Sequence, residues 1–210
     1  MKSDVTETGD NAEDTVNVLM AGVGGQGIIT ASAVLAQAAL EAGYDVKKSE
    51  IHGMSQRGGS VESHVRLRRG RVHSPIIPWG RADLTVGLEM LEALRSAHWV
   101  RPGGTMLVDD RRIHPSTIAS GAFEYPQDCL ERLAKHDFEL IVVNAFTIAV
   151  ELGEYRAANT VMLGAMSQLL PIPAEAWQSA MRRIIKHQRL QVNLEAFAAG
   201  QEQVYSCQNR

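Results

Sequence analysis

The amino-acid sequence predicts an α/β fold built around a mixed sheet. Segments of strand length and helix length alternate along most of the 210 residues, which is typical of layered α/β proteins. A glycine-rich turn joins the first strand to the first helix. Only nine residues join the second strand to the third, whereas a crossover between parallel strands needs roughly a dozen or more. The third strand should therefore run antiparallel to the second.

The first three strands and the first helix are defined by short apolar or alternating runs. We expect strands at 16–20, 44–50 and 60–69, and a helix at 27–42 that ends at a C-cap glycine, Gly43. Apolar residues of this helix recur every three or four positions and should form the stripe that faces the sheet. They are 28, 31, 35, 38 and 39.

The middle of the chain continues the alternation. Strands are predicted at 82–89, 103–110 and 138–144, and helices at 89–99 and 126–136. A helix lies between each of these strands and the next, and this order favours a parallel arrangement of neighbouring strands.

From residue 145 the sequence is predicted to be helical. Helices are expected at 146–152, 156–170 and 174–187, and the prolines of "PIP" separate the last two. A final helix at 193–205 is expected to begin at Asn193, a residue type that favours the N-cap.

Composition excludes several classes of function. A formal net charge of −3 gives no indication of nucleic-acid binding, and no apolar run approaches the length of a membrane span. Cys129 and Cys207 are far apart in the sequence, so this chain should hold neither an iron–sulfur cluster nor a zinc ion. Few cysteines and the absence of an export signal indicate a cytoplasmic protein.

The chain should form one folded domain behind a short polar segment. Residues 1–15 are acidic and polar, and we expect a disordered lead-in there. Residues 16–205 carry all the predicted elements and, at 45% hydrophobic residues for the whole chain, suit a single core.

The glycine-rich turn "AGVGGQGI" at 21–28 is the first candidate site. Its glycines fit G-x-G-x-x-G, allow close approach of backbone N–H groups to an anion, and precede a helix whose positive end points there. A tight turn that packs the helix and binds nothing remains an alternative. No lysine follows as a P-loop requires. The candidate binding residues are Gly22, Gly24, Gly25, Gln26 and Gly27.

A second glycine-rich loop lies in "SEIHGMSQRGGSVESHVR" at 49–66. A guanidinium and several backbone N–H groups in one loop can bind an anion, although a wide turn with a solvated arginine would look the same. The candidate residues are Met54, Ser55, Gln56, Arg57, Gly58 and Gly59.

Taken together, the two stretches resemble a known family. "GVGGQGI" followed by "SEIHGMSQRGGSVESHVR" is similar to the gamma-type module of 2-oxoacid:ferredoxin oxidoreductases, and most similar to the small (beta) subunit of indolepyruvate ferredoxin oxidoreductase. "NTVMLGAMSQLLPIP" at 159–173 and "VNLEAFAAGQE" at 192–202 extend the likeness over about 16–202.

The resemblance implies a fold and a complex. The fold would be a three-layer α/β/α sandwich with a mixed, mostly parallel sheet, a Rossmann-like start and a helical C-terminal part. The complex would convert an aryl 2-oxoacid and coenzyme A (CoA) to an acyl-CoA and reduce ferredoxin. Thiamine diphosphate and the iron–sulfur clusters would lie on a larger partner subunit. This chain would complete the active site without a catalytic residue or metal of its own, and its two glycine loops would line a site for CoA or thiamine diphosphate.

Two other functions are compatible with the residues alone. The glycine turn and Glu50, which lies 23 residues after Gly27, are spaced as in dinucleotide-binding folds and would suit a stand-alone NAD(P)-dependent dehydrogenase. A non-catalytic nucleotide-binding assembly protein would use the same turn. The dehydrogenase is disfavoured because it would need a helix between the second and third strands, and the chain lacks room for one there.

Overall fold

The computed structural model describes residues 15–53, 59–114 and 124–208, with side chains described up to 204. Within these ranges the chain forms six strands and seven α-helices. The strands are β1 (Thr15–Val23), β2 (Asp45–His52), β3 (Ser60–Arg68), β4 (Ala82–Gly87), β5 (Val100–Asp109) and β6 (Glu139–Val143). The helices are α1 (Ile28–Glu41), α2 (Met90–Arg95), α3 (Cys129–Leu133), α4 (Ala145–Glu151), α5 (Ala158–Ser167), α6 (Ala174–Ile184) and α7 (His187–Gln208).

The strands form one sheet in the order β2-β3-β1-β4-β5-β6. β3 is antiparallel to both of its neighbours, whereas the pairs β1–β4, β4–β5 and β5–β6 are parallel. The prediction of an antiparallel third strand in a mixed, mostly parallel sheet is confirmed. Because every strand except β3 runs in the same direction, the carboxyl ends of five strands meet at one edge.

Helices cover both faces of the sheet, which confirms the three-layer sandwich. Leu107 of β5 belongs to the large core beneath α1 and the C-terminal helices, while its neighbours Met106 and Val108 belong to a second core beneath α2 and α3. Successive side chains of a strand point to opposite faces, so the two cores lie on opposite sides of the sheet.

The large core is built around α1 and the C-terminal helices. The predicted apolar stripe of α1 is buried, and Gly43 follows the helix with a φ of +83°. Trp177 of α6 is fully buried beside Phe197 of α7. Gly200 packs so closely on α5 that a Cβ there would overlap the carbonyl of Val161. The backbones of α5 and α7 therefore touch, which fixes one wall of the site described below.

Several predicted boundaries differ from the structure. β1 extends to Val23, so Gly22 lies in the strand and not in the turn. The helix predicted at 89–99 ends as α2 at Arg95 and continues as a 3₁₀ turn at Ala97–Trp99, and the one at 126–136 shortens to α3. The helix predicted at 156–170 opens with a 3₁₀ turn at Tyr155–Ala157 and ends at Ser167.

The N-cap prediction for Asn193 is wrong. α7 already begins at His187, and Asn193 lies inside it. Its side chain donates to the Arg189 carbonyl four residues earlier (2.7 Å) and accepts from the Thr160 hydroxyl (2.6 Å). N-cap preference is a local bias, and a buried partner on another helix outweighs it.

Residues 1–14 of the predicted lead-in lie outside the described residues, and Thr15 begins β1. In the described part of the chain, none of the helices is both long and apolar enough to cross a membrane.

Candidate functional site

The first candidate site lies at the carboxyl edge of the sheet, where the glycine turn connects β1 to α1. Gly25 and Gly27 have φ values of +103° and +80°, a region that favours glycine. Gly27 is the N-cap of α1, has no side-chain capping bond, and is followed by a first turn without an acidic residue. The first N–H groups of a helix have no acceptor within it. They therefore present a positive, donor-rich surface to this edge.

Gln26 and Gly22 build this turn. The Gln26 Oε1 atom accepts from the Val23 N–H (2.7 Å), and its Nε2 atom donates to the Leu88 carbonyl (2.5 Å). A Cβ on Gly22 would lie 2.7 Å from that Oε1 atom, so glycine leaves room for the amide. Gln26 thus fastens the turn to the end of β4, and the binding contacts assigned to these two residues stay predictions.

The second candidate loop is joined to the first at its described ends. The Gly24 N–H donates to the Gly59 carbonyl (2.8 Å), and the Gly53 N–H donates to the Ser60 carbonyl (3.2 Å). The Ser60 hydroxyl donates to buried Glu92 on α2 (2.6 Å). The residues between lie outside the described part of the chain, so their binding roles stay predictions. They are Met54, Ser55, Gln56, Arg57 and Gly58.

Two clefts lie on opposite sides of the glycine turn. The smaller one, about 410 Å³, faces β2 and β3, and we call it the apolar cleft. Among its described lining residues, the polar side chain is the imidazole of His52. It is lined by Val23, Gly25, Ile28, Ile29, His52 and Val61.

The larger cleft, about 720 Å³, lies between the turn, β5 and the C-terminal helices, and we call it the basic cleft. Arg111 comes from the loop after β5, Arg156 from the turn before α5, and Lys186 and Arg189 from the start of α7. The Arg111 guanidinium lies 3.9 Å from the Phe146 ring centroid, a cation–π contact that orients it. The same walls also contain the carboxyl groups of Asp109 and Glu154, so the four cations are in excess. Together with the uncapped helix N–H groups, this excess suits a polyanionic ligand.

Asn159 connects the basic cleft to the turn. Its Nδ2 atom donates to the Gly27 carbonyl (3.1 Å), and a Cβ on Gly27 would overlap that same atom. Gly27 is therefore required both by its φ and by the close approach of α5.

Asp109 is a buried carboxyl group on the wall of the basic cleft. It accepts from the N–H groups of Ala145 (3.1 Å) and Phe146 (3.4 Å) at the start of α4. Burial raises the pKa of Asp109 to about 7, with a smaller increase from Asp110, while the two N–H donors and Arg111 oppose the increase. This carboxyl group can therefore exchange a proton near neutral pH.

The sequence could not find the four basic residues, which are dispersed between 111 and 189 without a shared pattern. Asp109 did carry a signal, because it ends a strand at the edge where α/β sheets bind ligands.

The position of Glu50 argues against the dehydrogenase. Glu50 lies on the edge strand β2 and pairs with Lys48 (2.5 Å), and β3 separates that strand from β1. In a dinucleotide-binding fold the acidic residue ends the strand next to β1. Here the inserted antiparallel strand moves it one strand further away.

Comparison with known proteins identifies the family. The family model "Pyruvate ferredoxin/flavodoxin oxidoreductase" matches residues 17–203. The chain belongs to this family. It is 38% identical over 195 residues to "Indolepyruvate oxidoreductase subunit IorB" of Archaeoglobus fulgidus, covering 91% of this chain and 96% of the relative. The resemblance inferred from the two loops is confirmed.

Other relatives show how this module is used. The chain is 32% identical over 189 residues to "Ketoisovalerate oxidoreductase subunit VorA" of Methanothermobacter marburgensis, covering 88% of this chain but 36% of that protein. Its fold matches the gamma subunit of a keto/oxoacid ferredoxin oxidoreductase from Geobacter sulfurreducens (TM-score 0.71, 24% identity, 91% of this chain and 99% of that one). This oxidoreductase subunit therefore corresponds to a separate chain in some relatives and to part of a longer chain in others.

Proposed function

We propose that this chain is the small subunit of an indolepyruvate-type 2-oxoacid:ferredoxin oxidoreductase in the cytoplasm, and that its glycine turn binds CoA. The complex converts an aryl 2-oxoacid and CoA to the acyl-CoA, carbon dioxide and a proton. The two electrons released pass to ferredoxin. Family membership and the IorB relative support the reaction class. The clefts support the role of this chain in it.

The observation that carries CoA binding is the contrast between the two clefts that share one turn. CoA joins a polyanionic 3′-phospho-ADP group to a largely uncharged pantetheine arm. Arg111, Arg156, Lys186 and Arg189 suit the phosphates. The apolar cleft, on the other side of the same glycines, suits the arm. Arg57, which lies outside the described residues, is proposed to add positive charge to the site.

The redox and thiamine chemistry belongs to the larger partner subunit in this proposal. Within the described residues, no three His, Cys, Asp or Glu side chains are grouped to hold a metal ion, and Cys129 is buried. This donor set does not fit an iron–sulfur cluster, which takes several thiolates. The contribution of this chain is to position CoA and to exclude water from its thiol end.

Isothermal titration of the intact complex with CoA, 3′,5′-ADP, thiamine diphosphate and NADH tests the proposal. We expect CoA and 3′,5′-ADP to bind, and Arg156→Ala to weaken both while Lys135→Ala leaves them unchanged. Lys135 is an exposed cation beyond α3, so it controls for the loss of one charge. CoA affinity that does not respond to Arg156→Ala would contradict the assigned site. NADH binding at the turn would support the dehydrogenase instead.

A non-catalytic assembly role would differ from the proposed function in one respect: this chain would not affect turnover. If Arg156→Ala weakens CoA binding, it should raise the KM for CoA in CoA-dependent oxidation of indolepyruvate with a dye acceptor. An unchanged KM at weakened binding would favour the assembly role.

A further inference from the structure

One face of β2 and β3 has no helix packed on it in the described structure. Val61, Val65 and Leu67 of β3 are buried beneath α1, so the alternate residues point away from it. These alternate residues pair in register with β2 residues on the same face. The pairs are Ile51–Glu62, Ser49–His64 and Lys47–Arg66. We call this side of the two strands, with the chain segment laid across it, the open face.

The segment between β3 and β4 lies across the open face and is fastened to it. The Arg66 Nη1 atom donates to the carbonyls of Ser74 (3.1 Å) and Ile76 (3.3 Å), and the Ile77 N–H donates to the Nδ1 atom of buried His64 (3.3 Å). Ile77 is fully buried in a small cluster with Leu19. The backbone of this segment is thus held in place, and so are the side chains that it turns outward.

Three large apolar side chains project from the open face. Trp79 is 76% exposed, Ile51 is 47% exposed and Ile76 is 41% exposed. Trp79 is nevertheless positioned, because its ring meets His98 (5.6 Å) and Trp99 (6.1 Å) edge to face. A preordered exposed indole costs little conformational entropy on binding, which is why tryptophan is enriched among interface hot spots.

Glu62 supplies a carboxylate to the open face, which also carries Lys47 and Arg66. Its side chain is only a quarter exposed, and it lies close to His98 and Trp99, the two residues that also contact Trp79. A partly buried carboxylate that shares two neighbours with an exposed indole can receive one cationic side chain, which pairs with the carboxylate and lies over the ring.

We propose that the open face is the docking surface for the larger subunit, with an arginine or lysine of that subunit over Trp79 and paired with Glu62. This inference rests on the proposed function. In the VorA relative the same module is about a third of one longer chain, so other parts of that protein adjoin it. The open face also runs along β2 to Ile51, next to His52 of the apolar cleft. A subunit docked there reaches the thiol end of the proposed CoA site.

The test is the affinity between this chain and its larger subunit, co-expressed, separated and recombined. We expect Trp79→Ala to raise the Kd by about 30-fold or more. Glu62→Gln should raise it by about 10-fold and reduce its dependence on salt. Leu40→Ala is the matched control, because Leu40 is 51% exposed on α1, on the opposite face of the sheet. Its Kd should stay within about twofold of the wild-type value. Thermal unfolding of each variant alone should show that all three fold.

The outcomes separate this inference from the function on which it rests. If the wild-type chain binds the larger subunit and both open-face variants bind equally well, the docking surface is wrong and the proposed function stands. If the wild-type chain binds no larger subunit, both are wrong. If the isolated chain dimerises and Trp79→Ala abolishes the dimer without affecting the larger subunit, the open face joins two copies and the proposal is overturned.

Discussion

The two clefts beside the glycine turn have opposite chemistry although they share the same backbone. The basic cleft has Arg111, Arg156, Lys186 and Arg189 in its walls, and the apolar cleft has Ile28, Ile29 and Val61. Glycines of the turn line both clefts, so the difference comes from the elements packed on each side. C-terminal helices and the β5 loop border the first, and β2 and β3 border the second. A glycine motif therefore provides an anchor, and its surroundings select the part of the ligand on each side.

The largest expected effect comes from Asp109, the buried acid of the basic cleft. Its pKa of about 7 lies about three units above the usual value of an aspartate. The folded state keeps the proton where the unfolded chain has released it. The stability that this group contributes is therefore present in full below about pH 4 and is lost, by on the order of 4 kcal/mol, as the pH rises to about 7.

Asp109→Asn should remove this loss of stability at rising pH, because asparagine stays neutral and its oxygen can accept from the N–H groups of Ala145 and Phe146. Urea unfolding at pH 5 and pH 8 measures the effect. The variant should be more stable than the wild type at pH 8. Ionisation of Asp109 adds a negative charge to the basic cleft, so wild-type CoA affinity should decrease as the pH rises through about 7, and the variant should not show this decrease. Parallel pH profiles for the two proteins would show that Asp109 is ionised throughout.

The charge of the basic cleft gives the next largest effect. Arg156→Ala combined with Arg189→Ala should weaken CoA binding by about 100-fold, or about 3 kcal/mol, since each removes a charge-assisted contact. The affinity for 3′,5′-ADP should fall equally, and the dependence on salt should become shallower. A double variant that loses CoA affinity but keeps 3′,5′-ADP affinity would place the phosphates elsewhere.

Substitutions at two glycines of the turn test the backbone that the two clefts share. Gly25→Ala adds a Cβ that meets no atom of the described residues within 4 Å, so its positive φ accounts for the cost, about 1 kcal/mol. Gly27→Ala has the same strain and also displaces the Asn159 amide, for about 3 kcal/mol in total. Chemical denaturation of the two variants gives the difference. Equal losses would mean that Asn159 moves aside without cost.

The smallest effect is expected in the apolar cleft. Ile29 is half exposed at its rim, so Ile29→Ala should weaken CoA binding by only about fivefold, or about 1 kcal/mol. Binding of 3′,5′-ADP, which lacks the pantetheine arm, should not change. If both ligands lose affinity equally, the arm does not lie in this cleft.

The sequence predicted the fold well where local patterns control it. The α1 stripe, the Gly43 C-cap and the antiparallel β3 follow from side-chain periodicity, glycine conformation and loop length, and the structure confirms them. Asn193 was misassigned because its partner Thr160 is 33 residues away in sequence. The two candidate loops were identified separately, and their contact through Gly24 and Gly59 became visible only in the structure.

By itself the sequence determined the order of elements, the mixed sheet and the family. These depend on periodicity, connection length and two contiguous strings of residues, all of which are local. Only the tertiary structure decided that the Gln26 amide supports the turn, that four dispersed cations meet beside it, and that Asp109 is buried enough to hold a proton near pH 7. These properties depend on desolvation and on contacts between residues tens of positions apart. No local pattern encodes such convergence, because burial and charge proximity exist only after the helices pack on the sheet.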